Sequence, residues 1–300
     1  MKPISLTLIL ILTSKNLLAQ ESNSKMAIDS LSLISLEDVQ LTGIRASEDS
    51  PVTFTNITRE DLNPRNLGQD IPILLNYLPG VVTTSDAGAG IGYTGIRVRG
   101  SDATRVNVTI NGIPYNDSES QGTFWVNLPD FASSVDAIQL QRGVGTSTNG
   151  SGAFGASLNL KTEAVQEDAF ASIASSLGSF RSLKNTLQFS SGTLNNTFTL
   201  SGRLSQINSN GYIERASSDL DAYFFQGTFK DENTLIKALV FGGQEITYQS
   251  WYGIDALTLE SNRKYNPAGE IYDESGNLVS FYDNQAVSYT HLTLPTKRIV

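Results

Sequence analysis

Two short segments in the second half of the chain limit what it can fold into. "TFTLSGRLSQI" sets Phe198, Leu200, Gly202 and Leu204 against Thr199, Ser201, Arg203 and Ser205. "AYFFQGTFK" sets Tyr223, Phe225, Gly227 and Phe229 against Phe224, Gln226, Thr228 and Lys230. A side-chain period of two is that of a β-strand, so each strand offers one apolar and one polar face. "SLKNTLQFSSGTLNNTFTL" reads as two such strands joined at "SGTLNN", and "NTLIKALVFGGQEITYQSW" carries the pattern on to Tyr248, Trp251 and Tyr252. Apolar strand faces, aromatic strand ends and short polar turns suit the wall of a transmembrane β-barrel. A secreted β-sandwich alternates equally well, so the pattern alone leaves both folds open.

Composition removes most chemistry. The chain has no cysteine, and its only histidine is His291. Thiol- or imidazole-based metal sites, nucleophile dyads and triads are thereby excluded along nearly the whole length. Asp and Glu are plentiful, yet no pair sits in a recognisable acid–base setting, which leaves a secreted carboxylate-driven hydrolase as a minor alternative. A formal charge of −9 speaks against a nucleic-acid partner.

The N-terminus reads as an export signal over residues 1–19. Met1-Lys2 is a basic start, "ISLTLILILT" an apolar stretch too short to span a bilayer, and Ala19 a cleavage residue. Residues 20–49 form a flexible leader with one short strand pattern, "LEDVQLTGIR" (residues 36–45). That strand is either a site for strand addition by a partner or an ordinary edge strand.

Residues 50–162 read as a small α+β domain. "VTFTNI" alternates as a strand. Asp70 and Pro72 open a helix whose face carries Ile71, Leu74, Leu75 and Leu78, stopped at Gly80. Val106, Val108 and Ile110 alternate into Asn111-Gly112, a hairpin signal. "SSVDAIQLQRG" and "GASLNLKT" give two more strands, separated by a loop of Gly, Ser, Thr and Asn with neither a phosphate-loop lysine nor a following helix.

Taken in order, "EDVQLTGIR", "LLNYLPGV", "IRVRGSDATRVNVTINGIP" and "SVDAIQLQRGVGTSTNGSGAFGASLNLKT" resemble the coupling segment and plug domain of TonB-dependent outer-membrane receptors. "FGGQEITYQSW" resembles early barrel strands of such receptors from the Bacteroidetes group. Asn111-Gly112 stands where Asp-Gly is common, and Phe154-Gly155 where Tyr-Gly is usual. The resemblance implies a plug domain at 50–162 and the first strands of an antiparallel outer-membrane β-barrel at 163–286. It implies a TonB box at Asp38, Val39, Gln40, Leu41, Thr42 and Gly43, and plug–barrel contacts at Arg99, Gly100, Arg142 and Gly143, whose arginines pair with barrel glutamates in the family. Candidate substrate-contacting residues are Tyr93, Tyr115, Asp117, Phe124 and Trp125.

The implied activity is energised uptake of a scarce solute, with a ferric siderophore-type complex first and cobalamin, an oligosaccharide or a peptide as alternatives. A passive porin or adhesin, or a secreted β-rich protein, is the reading from another class. The implied partners are TonB with its proton-driven inner-membrane complex, a small-molecule or chelate substrate and outer-membrane lipid, with no cofactor. The implied place is the outer membrane of a Gram-negative cell, with a periplasmic N-terminus. Receptors of this kind close about 22 strands. At about 10 residues per crossing plus loops, residues 168–300 supply roughly six. The sequence is therefore expected to be the N-terminal part of a longer protein, and residues 287–300, which break the alternation, read as a foreign or frame-shifted tail.

Overall fold

The structure is a computed structural model. It describes residues 44–145, 149–150, 152–162, 164–232 and 234–282, and the backbone of 286–293. The expected signal peptide, most of the leader and the six TonB-box residues lie outside the described residues.

The first domain runs through β1 (Thr53–Thr58), α1 (Arg59–Leu62), α2 (Ile71–Leu74), β2 (Val81–Ser85), β3 (Thr94–Val98), β4 (Val106–Ile110), β5 (Ile113–Pro114), β6 (Val135–Arg142) and β7 (Ala156–Thr162). Its main sheet has the order β1-β6-β7-β4-β5, with β4 and β7 parallel and the other pairs antiparallel. β2 and β3 form a separate hairpin. Asn111 and Gly112 both take positive φ and bring Ile110 opposite Ile113, as the Asn-Gly signal requires. β4 and β7 are central strands, which explains why every residue of β4 is buried although the sequence alternates.

The expected helix face is present, with Ile71, Leu74, Leu75 and Leu78 all in the core, but the helix is a single turn. Leu75 leaves the helical region, and Gly80 at φ +73° turns the chain into β2. Asp70 makes no side-chain cap; its carboxylate instead accepts the Thr94 hydroxyl at 2.8 Å.

Five long strands follow: β8 (Ala169–Gly178), β9 (Ser182–Leu194), β10 (Phe198–Ser209), β11 (Ser218–Lys230) and β12 (Leu235–Tyr248). Then come α3 (Ala256–Ser261), a small hairpin of β13 (Glu270–Tyr272) and β14 (Leu278–Phe281), and β15 (Ala286–Thr293). The sheet order is β15-β12-β11-β10-β9-β8, antiparallel throughout. β9 extends further than "SGTLNN" suggests. Gly192 at φ +64° accompanies a register shift, and the turn falls at Asn195–Asn196, both with positive φ.

The two faces of this sheet decide between the folds left open by the sequence. On β10, Leu204 is 45 % exposed while Arg203 is 2 % exposed. Phe198 and Leu200 likewise face out, and Thr199, Ser201 and Ser205 face in. On β11, Phe225 and Phe229 are exposed, whereas Gln226 and Thr228 are buried. A soluble sandwich buries its apolar faces against each other. Here the apolar face points away from the protein and the polar face is covered by the first domain, as in a barrel wall around a wet interior. The described strands form an open arc and not a closed barrel.

Candidate functional site

The interface between the first domain and the polar face of the sheet centres on one carboxylate. Asp130 sits in the "NLPDF" turn with φ +52° and is 3 % exposed. Its Oδ1 lies 2.6 Å from Lys184 Nζ on β9, and its Oδ2 lies 3.4 Å from Arg203 NH1 on β10. Thr186 Oγ1 donates to Oδ2 at 2.7 Å, Ser205 Oγ donates to Oδ2 at 2.5 Å, and Ser133 Oγ donates to Oδ1 at 2.5 Å. Strand alternation puts Lys184 and Thr186 on one face of β9 and Arg203 and Ser205 on the same face of β10. Burial pushes the Asp130 carboxyl up, but the charges of Arg203 and Lys184 and their donors outweigh it, and it titrates below the usual range.

Polar contacts spread outward from that anchor. Lys184 Nζ also donates to Asn66 Oδ1 at 3.0 Å and Ser133 Oγ at 3.1 Å. Gln188 donates to the Ser133 carbonyl at 2.5 Å, and Thr162 donates to Gln226 Oε1 at 2.7 Å. A small aromatic patch sits among them. The Phe131 ring lies edge-on to Phe224 at 5.9 Å and to Phe241 at 5.2 Å. Polar groups dominate the interface, so it is held mainly by hydrogen bonds that water can replace.

Loops at one end of the sheet meet the first domain closely. Ala87 O accepts from Tyr212 N at 2.7 Å, and a Cβ at Gly88 would lie 3.0 Å from that of Tyr212. A Cβ at Gly92 would lie 2.8 Å from Ser218 Oγ. Both glycines have positive φ, so the segment between β2 and β3 turns and hugs the sheet where a larger residue would strain.

The residues singled out in the sequence fall in three places. Arg99 and Gly100 form a turn with positive φ at both positions, linking Val98 to Ser101. Arg142 is buried inside the first domain; its Nε donates to Pro79 O at 3.0 Å and its NH2 to Thr55 Oγ1 at 2.8 Å. Arg99 NH1 donates to the backbone carbonyl of Arg142 at 3.4 Å. Burial and the charge of Arg99 lower the Arg142 pKa. Gly143 at φ +92° lets the chain leave β6 beside Arg99.

Tyr93 is half-buried, its ring edge-on to Trp251 at 5.3 Å. Tyr115 packs towards Phe241 at 6.2 Å; burial, then the charge of Glu245, push its hydroxyl up to about 12. Trp125 belongs to the core, whereas Phe124 is exposed. Asp117 is exposed and caps its own loop, accepting from Ser120 N at 2.7 Å. Asp130 and its basic partners were not singled out. The signal for them was the pairing of Lys184/Thr186 with Arg203/Ser205 at matching inward positions.

Residues 46–157 match the TonB-dependent Receptor Plug Domain family. The chain carries a TonB-dependent receptor plug domain. Over 146 residues it is 29% identical to the vitamin B12 transporter BtuB of Vibrio cholerae, covering 48% of this chain and 23% of that protein. The chain thus spans about a quarter of the length of the curated relatives it matches. Among solved structures it resembles P. aeruginosa FpvA bound to heterologous pyoverdines (TM-score 0.57, 14% identity, 81% of this chain and 31% of that one). It also resembles the ferric citrate transporter FecA in its unliganded form (TM-score 0.56, 21% identity, 74% and 35%). These likenesses establish the fold: a plug followed by antiparallel barrel strands. The matching family model is that of a receptor plug domain, and the curated relative is a transporter.

One consequence for stability follows from Asp70. Burial, opposed by the Thr94 hydrogen bond and reinforced by the charge of Glu245, raises its carboxyl well above the usual range. A raised carboxyl favours the folded state only as it protonates, so its ionisation weakens the plug as pH rises from about 4. Asp70→Asn keeps an oxygen for Thr94 and is expected to raise the melting temperature at pH 7. The gain should shrink as the pH of the melt approaches 4.

Proposed function

We propose that this chain is the N-terminal portion of an outer-membrane receptor that takes up a scarce solute by energy drawn through TonB. The observation that carries the reading is a plug domain anchored by Asp130 to the inward polar face of a sheet whose other face is apolar. Such a stopper blocks diffusion, so passage needs the plug to move.

The loops give the orientation. The short connections after β9 and β11 lie at the end where the plug passes into β8; turn 179–181, the loop 210–217 and the long segment after β12, described to residue 282, lie at the other. Outer-membrane barrels keep short turns on the periplasmic side and long loops outside. Residues 249–282, with Trp251 and Tyr252, and the plug loop bearing Tyr93 then face the exterior. Solute bound at the outer end biases the plug, the TonB box at Asp38–Gly43 becomes available, and TonB adds a strand to it. The family resemblance assigns plug–wall contacts to Arg99 and Arg142; the side-chain hydrogen bonds of Arg142 to Pro79 and Thr55 stay within the plug. Ferric siderophore-type complexes lead as the solute, because FpvA with its pyoverdines, FecA and the siderophore receptor PirA of Acinetobacter baumannii share the fold. Cobalamin follows from the likeness to BtuB.

Deleting Glu37–Arg45 from the full-length protein tests the reading. Growth on the chelated iron source should collapse while the protein still inserts in the outer membrane. A passive pore or adhesin would be indifferent to the deletion.

A further inference from the structure

The glycine-rich signature ending the plug contains two glutamines that neither the core nor the wall uses. Gln139 and Gln141 alternate with Ile138 and Leu140 on β6, so they share the face opposite the apolar core. Both are about 1 % exposed. Their partners are not other strands but the stretch of chain just after the expected TonB box.

Gln139 treats Ala46 as a strand would. Ala46 N donates to Gln139 Oε1 at 2.7 Å, and Gln139 Nε2 donates to Ala46 O at 2.9 Å. The second Nε2 hydrogen goes to Asn56 Oδ1 at 2.7 Å, on the opposite residue of β1. Gln141 Nε2 donates to Ile44 O at 2.9 Å and to Gln139 Oε1 at 2.9 Å. Gln141 Oε1 in turn accepts from Asn149 Nδ2 at 3.0 Å, in the Gly/Asn loop. Two primary amides thus use all four of their donors, and two of those bonds seize backbone carbonyls of residues 44 and 46. Ile44 and Ala46 are themselves buried. Outside this strip, residues 44–46 have no ladder of their own in either sheet.

We propose that Gln139 and Gln141 are positioning residues that clip the root of the coupling segment to the plug. The clip is built of side-chain amides, so residues 44–46 can detach without breaking the β1–β6 pairing. A backbone ladder would couple release of the segment to loss of the sheet; a side-chain strip separates the two. Releasing it exposes carbonyls and an amide that water satisfies at once, whereas the buried glutamines must find new partners. The held state is favoured for that reason, and the clip sets how much of the coupling segment is free before TonB arrives. This step rests on the receptor reading above.

Amide hydrogen exchange on the full-length protein in lipid tests it. In Gln139→Leu the Ala46 amide loses its acceptor and residue 44 loses its neighbour's support. Exchange at residues 44–47 should accelerate at least ten-fold, while residues 135–142 and 156–162 keep wild-type protection. The purified periplasmic domain of TonB should also bind the solute-free variant several-fold more tightly than wild type. If Gln139→Leu does not fold, Gln141→Met, which removes the bonds to Ile44 O, Gln139 Oε1 and Asn149 Nδ2 but keeps the Gln139–Ala46 pair, is read the same way. Unchanged exchange at 44–47 in a folded variant overturns the proposal, and so does faster exchange shared equally by β6 and β7. Failure of TonB to bind wild type and variant alike counts instead against the receptor reading, with the exchange result still deciding the clip.

Discussion

Replacing Asp130 by alanine is expected to weaken plug docking by about 3–5 kcal/mol, because it removes the buried carboxylate that neutralises Lys184 and Arg203. The pair need not add much net stability over an apolar substitute; the cost lies in removing one side only. A Lys184→Met, Asp130→Asn double variant should therefore recover part of the loss, and denaturant titration of the protein in lipid measures both. The pH dependence carries its own sign. Asp130 is depressed below its unfolded value, so its contribution is complete above about pH 4 and is lost as pH falls through the lower folded value. Wild type should lose docking stability on acidification below pH 4, and Asp130→Ala should show a flatter profile there.

Leu204→Lys is the second large effect. Leu204 sits in the middle of β10 on the outward apolar face, with Tyr223 and Leu187 as its cross-strand partners. In a lipid-facing position near mid-bilayer, a lysine costs about 2–4 kcal/mol. On the solvent face of a soluble sheet the same change costs almost nothing, within about 0.5 kcal/mol. The inward neighbour Ser205 gives the control: Ser205→Ala removes one donor to Asp130 and is expected to cost about 1–2 kcal/mol in either environment. Comparing the two by unfolding in lipid separates the barrel wall from a secreted sandwich.

Local pattern carried much of the fold because it reports on faces. The apolar and polar sets written along β10 and β11 face out and in as alternation requires, and Asn111-Gly112 turns where its backbone freedom permits. Ile71, Leu74, Leu75 and Leu78 were identifiable as one buried face although the helix closes after a turn, since burial fixes the residues and not the number of hydrogen bonds. The parallel pairing of β4 with β7 has no local signature, because it depends on a crossover through Asp130 and β6. The Asp130 anchor was hidden for a related reason. Its partners lie 54 and 73 positions away in the chain, on strands whose inward polar residues look interchangeable until the register is known. The glutamines of β6 looked like the solvent face of a strand; only the return of residues 44–46 makes that face buried.

Arg99 and Arg142 show the other limit. Sequence marked them as contact residues, and the structure places them side by side among plug carbonyls and a threonine. Two neighbouring guanidinium groups repel each other unless an anion lies near.

The cysteine-free chain makes the decisive test clean. Cysteines placed at Ser133 in the plug and Gln188 in the wall, whose atoms lie 2.5 Å apart in their hydrogen bond, should be joined by a short bifunctional thiol reagent in intact outer membranes of cells making the full-length protein. The link should form in the resting state, with the plug seated against the inner face of the sheet. Ready labelling of each cysteine alone, with no link between them, would contradict the account.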